Sequence, residues 1–339
     1  MSKHLVLPRP GSVFEPKEPI SGPSEEAFTS TFGALLPPAK FLHTPIGKAA
    51  YYNFPPASPT PSTPSQTPGT PKRVLLIHGV QTPALGMLPL TSALRSQFPS
   101  TEFVLLDLWG HGLSDTPHLP HEGKLFHGLI DGLLEHLGWK GHEGVSIVGF
   151  SFGAVLTMGY LAGTYGKKGG EKGKSVGSFV LVAPAGLLRK SWFNDEQRRW
   201  LSKECEEGDE RKAAEWVVSV LEGGELKVPD DWRERVGNGE VVAEAVKDWQ
   251  MKQHAGHPAS VVGIFRDGEV TDNDELFVKA RETGVRSLVV LGGDDEMSTE
   301  KEIKEFGFDV KVVPQAGHGV VRDKAGEVAE HIGEFWRRL

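Results

Sequence analysis

The chain is short of cysteine, of long apolar runs and of positive charge, and each shortage removes a class of protein. Cys205 is the only cysteine in 339 residues, so no intramolecular disulfide can close and no thiol cluster for zinc exists. A reducing compartment is expected, with the cytoplasm as the default location. Residues 1–19 are broken by Pro8, Pro10, Pro16 and Pro19 and lack the continuous apolar stretch that a secretory leader or membrane span needs. Stable membrane insertion is not expected. The 37 Lys and Arg are outnumbered by 45 Asp and Glu, a formal net charge of -8, which leaves no broad basic surface for nucleic acid. Nothing in the sequence speaks to oligomeric state.

Glycine and proline are plentiful, and their positions divide the chain. Residues 1–39 read as an N-terminal arm in which Ser24, followed by Glu25 and Glu26, caps a short helix with Phe28, Phe32 and Leu35 on one face. That face packs on a core or touches lipid, and the missing basic face argues against lipid. Lys40 to Phe54 reads as a hairpin around Pro45-Ile46-Gly47, the antiparallel edge of a larger sheet. Residues 55–71 hold seven Pro and seven Ser or Thr in seventeen positions, a composition expected to stay solvated and disordered.

From Arg73 onward the chain alternates. Short apolar runs at 74–77, 103–106, 145–148, 179–182, 287–291 and 310–313 have the look of buried parallel strands. Helix-like stretches lie near 84–96, 124–138, 152–163, 299–306 and 324–338. Repeated strand-then-helix order predicts an α/β fold, a doubly wound, mostly parallel sheet with helices on both faces. The core is expected over 40–183 and again over 286–339. Between them, residues 184–285 read as an inserted helical cap and return segment that carries Trp192, Trp200, Trp216, Trp232 and Trp249. Part of that aromatic load is expected to hold the insertion together, and part to roof a pocket. The segment 166–177, glycines with four Lys, imitates a phosphate loop but has Lys168 where glycine is needed and follows a helix, so it reads as a solvated loop.

The strongest chemical signal is Gly149-Phe150-Ser151-Phe152-Gly153, set between an apolar strand and a helix. A strand turning sharply into a helix holds its middle residue in strained backbone geometry, and side chains two positions away would collide. Ser151 is then presented at the carboxyl end of the strand, beside the first N–H groups of the helix.

With this motif the chain resembles the α/β-hydrolase superfamily, and four more segments match where that family would place them. The resemblance implies that His78-Gly79-Val80 supplies an oxyanion-hole amide, so that Val80 and Phe152 are the two backbone donors. His78 is expected to bond the loop backbone. Asp107-Leu108-Trp109-Gly110-His111-Gly112-Leu113-Ser114 is similar to a structural loop of the family, with Asp107 and His111 holding loops together and Trp109 reaching toward the pocket. Val290-Leu291-Gly292-Gly293-Asp294-Asp295 implies Asp295 as the triad acid, with Asp294 as its rival. Ala316-Gly317-His318-Gly319 implies His318 as general base. The order Ser, Asp, His along the chain is the order this fold uses. His118, His121 and His127 show no regular ligand spacing, and no metal or other cofactor is expected.

These residues imply a serine hydrolase that cleaves a carboxylic ester, thioester or amide of a small apolar substrate through an acyl-enzyme. Cleavage of a C–C bond, or cofactor-free perhydrolysis, would use the same triad. A ligand-binding protein on this fold is a further alternative, which the full Ser, Asp and His set argues against.

Overall fold

The computed structural model describes residues 5–57, 69–141, 144–165, 176–203, 205–222 and 224–339. Most of the Pro-rich segment and the glycine- and lysine-rich segment lie outside these residues. Helix α1 (Glu25–Phe32) begins where the sequence places it, because the Ser24 hydroxyl accepts the Ala27 N–H at 3.1 Å and Glu25 and Glu26 occupy the first turn. Strands β1 (Lys40–Thr44) and β2 (Gly47–Phe54) form the expected hairpin. At its turn the Thr44 hydroxyl donates to the Gly47 carbonyl and accepts from the Ile46 N–H.

Six further strands follow: β3 (Arg73–Ile77), β4 (Glu102–Leu106), β5 (Val145–Phe150), β6 (Val176–Val182), β7 (Arg286–Gly292) and β8 (Val310–Val313). The eight stand in the order β1-β2-β4-β3-β5-β6-β7-β8. Pairings are antiparallel up to β2 with β4 and parallel from there on. Alternate residues of these buried strands serve opposite faces. Leu75, Ile77, Val104, Leu106, Phe179 and Leu181 belong to one core, while Val74, Leu76, Phe103, Leu105, Val180 and Val182 belong to the other. The sheet thus divides two cores, one under each layer of helices, as a doubly wound sheet requires. From β3 the chain crosses to β4 on one side and then returns to β5 on the other, and this reversal opens a crevice at the carboxyl ends of β3 and β5.

Helices α2 (Leu88–Gln97), α3 (Gly123–His136) and α4 (Phe152–Tyr165) link the strands as far as β6. Between β6 and β7 the described residues hold α5 (Asp195–Leu201), α6 (Glu210–Glu222), α7 (Trp232–Gly237), α8 (Ala243–Gln253), α9 (His257–Asp267) and α10 (Asp274–Glu282). After β7 come α11 (Glu300–Glu305), α12 (Val320–Asp323) and α13 (Ala325–Trp336), so the last expected helix is preceded by a separate short one. No helix among the described residues is long and apolar enough to cross a membrane.

Residues 184–285 leave and rejoin the sheet at a shared neck. The Gly186 N–H donates to the Val270 carbonyl at 3.2 Å, and the N–H groups of Asp272 and Asn273 donate to the carbonyls of Leu188 and Gly186 at 2.9 Å. Beyond the neck, aromatic rings hold the insertion together. Trp216 meets Phe193, Trp200 and Phe265 at centroid distances of 5.1, 5.9 and 5.9 Å, contacts worth about 0.5–1.5 kcal/mol each beyond their burial. Trp249 of α8 packs edge-on against Phe28 and Phe32 of α1, and Trp232 also meets Phe32. The apolar face of the arm is therefore used inside the molecule. Ahead of it, Arg9 pairs with Asp267 at 2.8 Å and donates to the carbonyls of Leu201 and Ser202, strapping the arm to α5 and α9.

Candidate active site

Ser151 stands at the end of β5 with φ of +53°, a conformation that costs an L-residue on the order of 1–3 kcal/mol. Backbone bonds hold it there. Its N–H donates to Val182 at 3.0 Å, and its carbonyl accepts from Ala154 and Ala185 at 3.0 and 3.2 Å. The flanking glycines are needed because backbones touch. A Cβ on Gly149 would lie 2.3 Å from the Gly153 carbonyl oxygen, and one on Gly153 would lie 2.2 Å from that of Ile77. A Cβ on Gly79 would fall 2.8 Å from Ser151 Cβ, so the loop after β3 lies directly against the serine.

His318, in the loop between β8 and α12, reaches this corner. Its Nε2 is 2.9 Å from Ser151 Oγ and its Nδ1 is 2.9 Å from Asp295 Oδ2. With Nδ1–H donated to the carboxylate, Nε2 is left to accept the serine hydroxyl. The second carboxylate oxygen accepts the Met297 N–H at 3.0 Å. Asp295 is buried and Asp294, the rival, is exposed. The two loops are bound to each other: the Asp294 N–H donates to Ala316 and the Gly293 N–H to Val313. Gly292 permits this approach, since a Cβ there would sit 2.4 Å from the Ala316 carbonyl oxygen.

Val80 follows β3 and Phe152 opens α4. Among the described residues, neither N–H donates to another backbone group. Both face the neighbourhood of Ser151 by position, Val80 through the loop that Gly79 presses against the serine and Phe152 as the next residue in the chain.

Behind this corner lies a set of buried histidines. The His78 Nε2 accepts from the Leu108 N–H at 2.9 Å, so its Nδ1–H donates to the Gly79 carbonyl at 2.6 Å. The Nε2 of His111 accepts from Gln81 at 3.2 Å, and its Nδ1 bonds the Trp109 carbonyl at 3.0 Å. His257 meets the His111 ring edge-on at 4.7 Å and bonds the Gly110 carbonyl at 2.8 Å. Burial pushes His78 down to about 4 and His257 to about 3, and holds His111 well below the usual histidine range. Asp107, whose carboxylate accepts from Ala84, Leu113 and the Tyr52 hydroxyl, is pushed up to about 6 by burial. His118 and His121 sit in the loop before α3, whereas His127 lies on α3 against Gly159.

A cavity of about 110 Å³ opens over Ser151 and His318. Val80, Phe150, Leu188, Met297 and Arg322 line it with them. The insertion adds Val220 and Leu221 from α6 and Lys247 from α8. The expectation of tryptophan at the pocket fails here. The lining contains no tryptophan: Trp109 is 1% exposed and turned into the core, Trp200, Trp216, Trp232 and Trp249 pack against other rings, and Trp192 is exposed to solvent. Lys247 and Arg322 contribute cationic side chains to that lining. Phe150 and Met297 neighbour motif residues and were within reach of the sequence, but no local pattern marks Leu188, Val220, Leu221 or Lys247.

The fold agrees with comparisons to known proteins. A model of the alpha/beta hydrolase family matches residues 74–331, more than half of the chain, and the protein belongs to that family. No curated protein matches the chain in sequence. Solved structures share the fold at low identity. A bromoperoxidase from Bacillus anthracis has a TM-score of 0.62 at 18% identity, covering 88% of this chain and 99% of its own. An esterase from Exiguobacterium antarcticum gives 0.60 at 14%, covering 88% and 100%. An enol-lactonase from Burkholderia xenovorans gives 0.58 at 15%, covering 87% and 99%. At such identities the likeness is one of fold.

Proposed function

We propose that the protein is a serine hydrolase that cleaves a carboxylic ester of a small substrate through an acyl-enzyme on Ser151. The observation that carries this reading is the pair of 2.9 Å hydrogen bonds linking Asp295, His318 and Ser151. In this mechanism Ser151 Oγ attacks the carbonyl carbon as its proton passes to His318 Nε2. Asp295 holds the imidazole in the needed tautomer and stabilises the cation. The tetrahedral oxyanion accepts hydrogen bonds from the N–H groups of Val80 and Phe152. The alcohol leaves with the proton of His318, and a water deprotonated by the same nitrogen then releases the acid and restores the serine.

The size of the cavity favours a short acyl group, since sites for drug-sized ligands span about 300–1,000 Å³. Apolar side chains from β5, the neck and α6 would surround that group. The same architecture in an esterase and an enol-lactonase accords with chemistry at a carboxylic ester. A panel of p-nitrophenyl esters, run with wild type and Ser151→Ala, tests the proposal. Turnover should be fastest on acetate to butyrate, and the variant should lose about 10³–10⁶-fold of it together with fluorophosphonate labelling. A variant that keeps most of its activity refutes the mechanism. Turnover of β-diketones without ester cleavage moves the reaction to a C–C bond.

A further inference from the structure

We propose that Gln250, on α8 of the insertion, is a positioning residue for this reaction, holding the backbone on which the Val80 amide depends. The inference rests on the serine-hydrolase reading. Gln250 is 0% exposed and lies 169 residues from the loop it touches. Its amide nitrogen donates to the Gln81 carbonyl, and its side-chain oxygen accepts the Gly112 N–H at 2.7 Å. One side chain of the insertion thus ties together the two core loops that follow β3 and β4.

Gln81 needs such a restraint. Its φ is +68°, in the left-handed region, which a residue with a side chain keeps only where its surroundings impose it. The Gln81 N–H is held by His111 Nε2, and the preceding carbonyl, that of Val80, accepts from the Thr82 N–H at 3.0 Å. Gln250 fixes the remaining group, the carbonyl. Without that bond Gln81 can relax toward negative φ, which turns the Val80–Gln81 peptide and carries the Val80 amide off the line to the oxyanion. An apolar side chain at 250 would also leave the Gln81 carbonyl and the Gly112 N–H buried without partners.

The same helix touches substrate space, because Lys247, three residues earlier and so near the same face, lines the cavity. Helix α8 is therefore shared by the pocket and the oxyanion loop. A substrate that seats well against it also secures the amide used in the transition state, which binds the choice of substrate to the rate of reaction.

The test uses Gln250→Met, which keeps length and volume but neither hydrogen bond, with p-nitrophenyl acetate as substrate and phenylboronic acid as a transition-state mimic. Full loss of an oxyanion donor costs about 10²–10³ in kcat, so a displaced donor should cost about 10–100-fold. KM should stay within about twofold, the inhibition constant of phenylboronic acid should rise by the same factor as kcat falls, and the pH profile should keep its shape. Values of kcat and boronic acid affinity within twofold of wild type overturn the proposal, and so does a rise in KM at constant kcat. Should Gln250→Met fail to fold, Gln250→Asn keeps a polar amide but is one methylene shorter, so it cannot span from the Gln81 carbonyl to the Gly112 N–H. It should show the same loss, and wild-type kcat there is equally decisive against the proposal. Failure of the underlying reading is distinguishable, since it appears as activity surviving Ser151→Ala whatever the Gln250 variants do.

Discussion

Two adjacent carboxylates, Asp294 and Asp295, differ by one backbone step and have opposite surroundings. Asp295 is turned inward to His318, with its second oxygen on the Met297 N–H, whereas Asp294 is exposed. Asp295→Asn should lower kcat on p-nitrophenyl acetate by about 10²–10⁴-fold, because an amide in that place favours the wrong imidazole tautomer. Asp294→Asn should leave kcat within about twofold. An equal loss in both variants would remove Asp295 from the proposed relay. The sequence makes Ser151, Asp295 and His318 legible because each stands at a strand end inside a short pattern rich in glycine. Gln250 was not legible. It is one polar residue on a helix of mixed character, and only the fold shows that it points at two backbone groups far away in the chain. Trp109 misled for the opposite reason, since an aromatic in a loop suggests a pocket wall, yet this ring is needed by the core.

Among the elements, the junction of α1 with α8 brings the arm, the insertion and the proposed site together. Phe32 is 0% exposed and meets both Trp232 and Trp249, so Phe32→Ala should cost about 3–5 kcal/mol of unfolding free energy in urea titration. A loss below about 1 kcal/mol would mean the arm is only loosely held. The strands were found from short apolar runs even though alternation is hidden when both faces are buried. What the sequence did not reveal was the short helix α12 ahead of the last one, set apart from it at Lys324, whose φ is -133°. Nor did it reveal which rings of the insertion would pack inward, because that depends on partners such as Phe28, distant in sequence from Trp249.

At the scale of the whole molecule, buried neutral imidazoles should govern acid stability. Burial lowers His78, His121 and His127 to about 4 and His257 to about 3, while the unfolded chain takes up these protons near 6.5. Between those limits the unfolded state binds more protons. The stability these residues contribute is therefore complete above pH 6.5 and falls as pH drops, by about 1.4 kcal/mol per pH unit for each fully shifted histidine. Asp107, raised to about 6, acts in the opposite direction between about pH 6 and 4, but it is one group against several. Thermal melts should show Tm falling steadily from pH 7 to pH 4.5. A level profile would show that these rings take up protons without unfolding.

The neck at Gly186, Leu188 and Val270 to Asn273 sets where this protein can be rebuilt. Because outgoing and returning strands of chain meet there, a foreign segment grafted between about residues 189 and 269 has its ends already closed and adds little loop entropy to the host. Helix α10 must remain with the host, since it carries the chain back along the sheet to the start of β7. Any such graft also discards the amide that clamps Gln81, so a chimera would inherit new walls for its pocket while needing a fresh brace for the loop beneath.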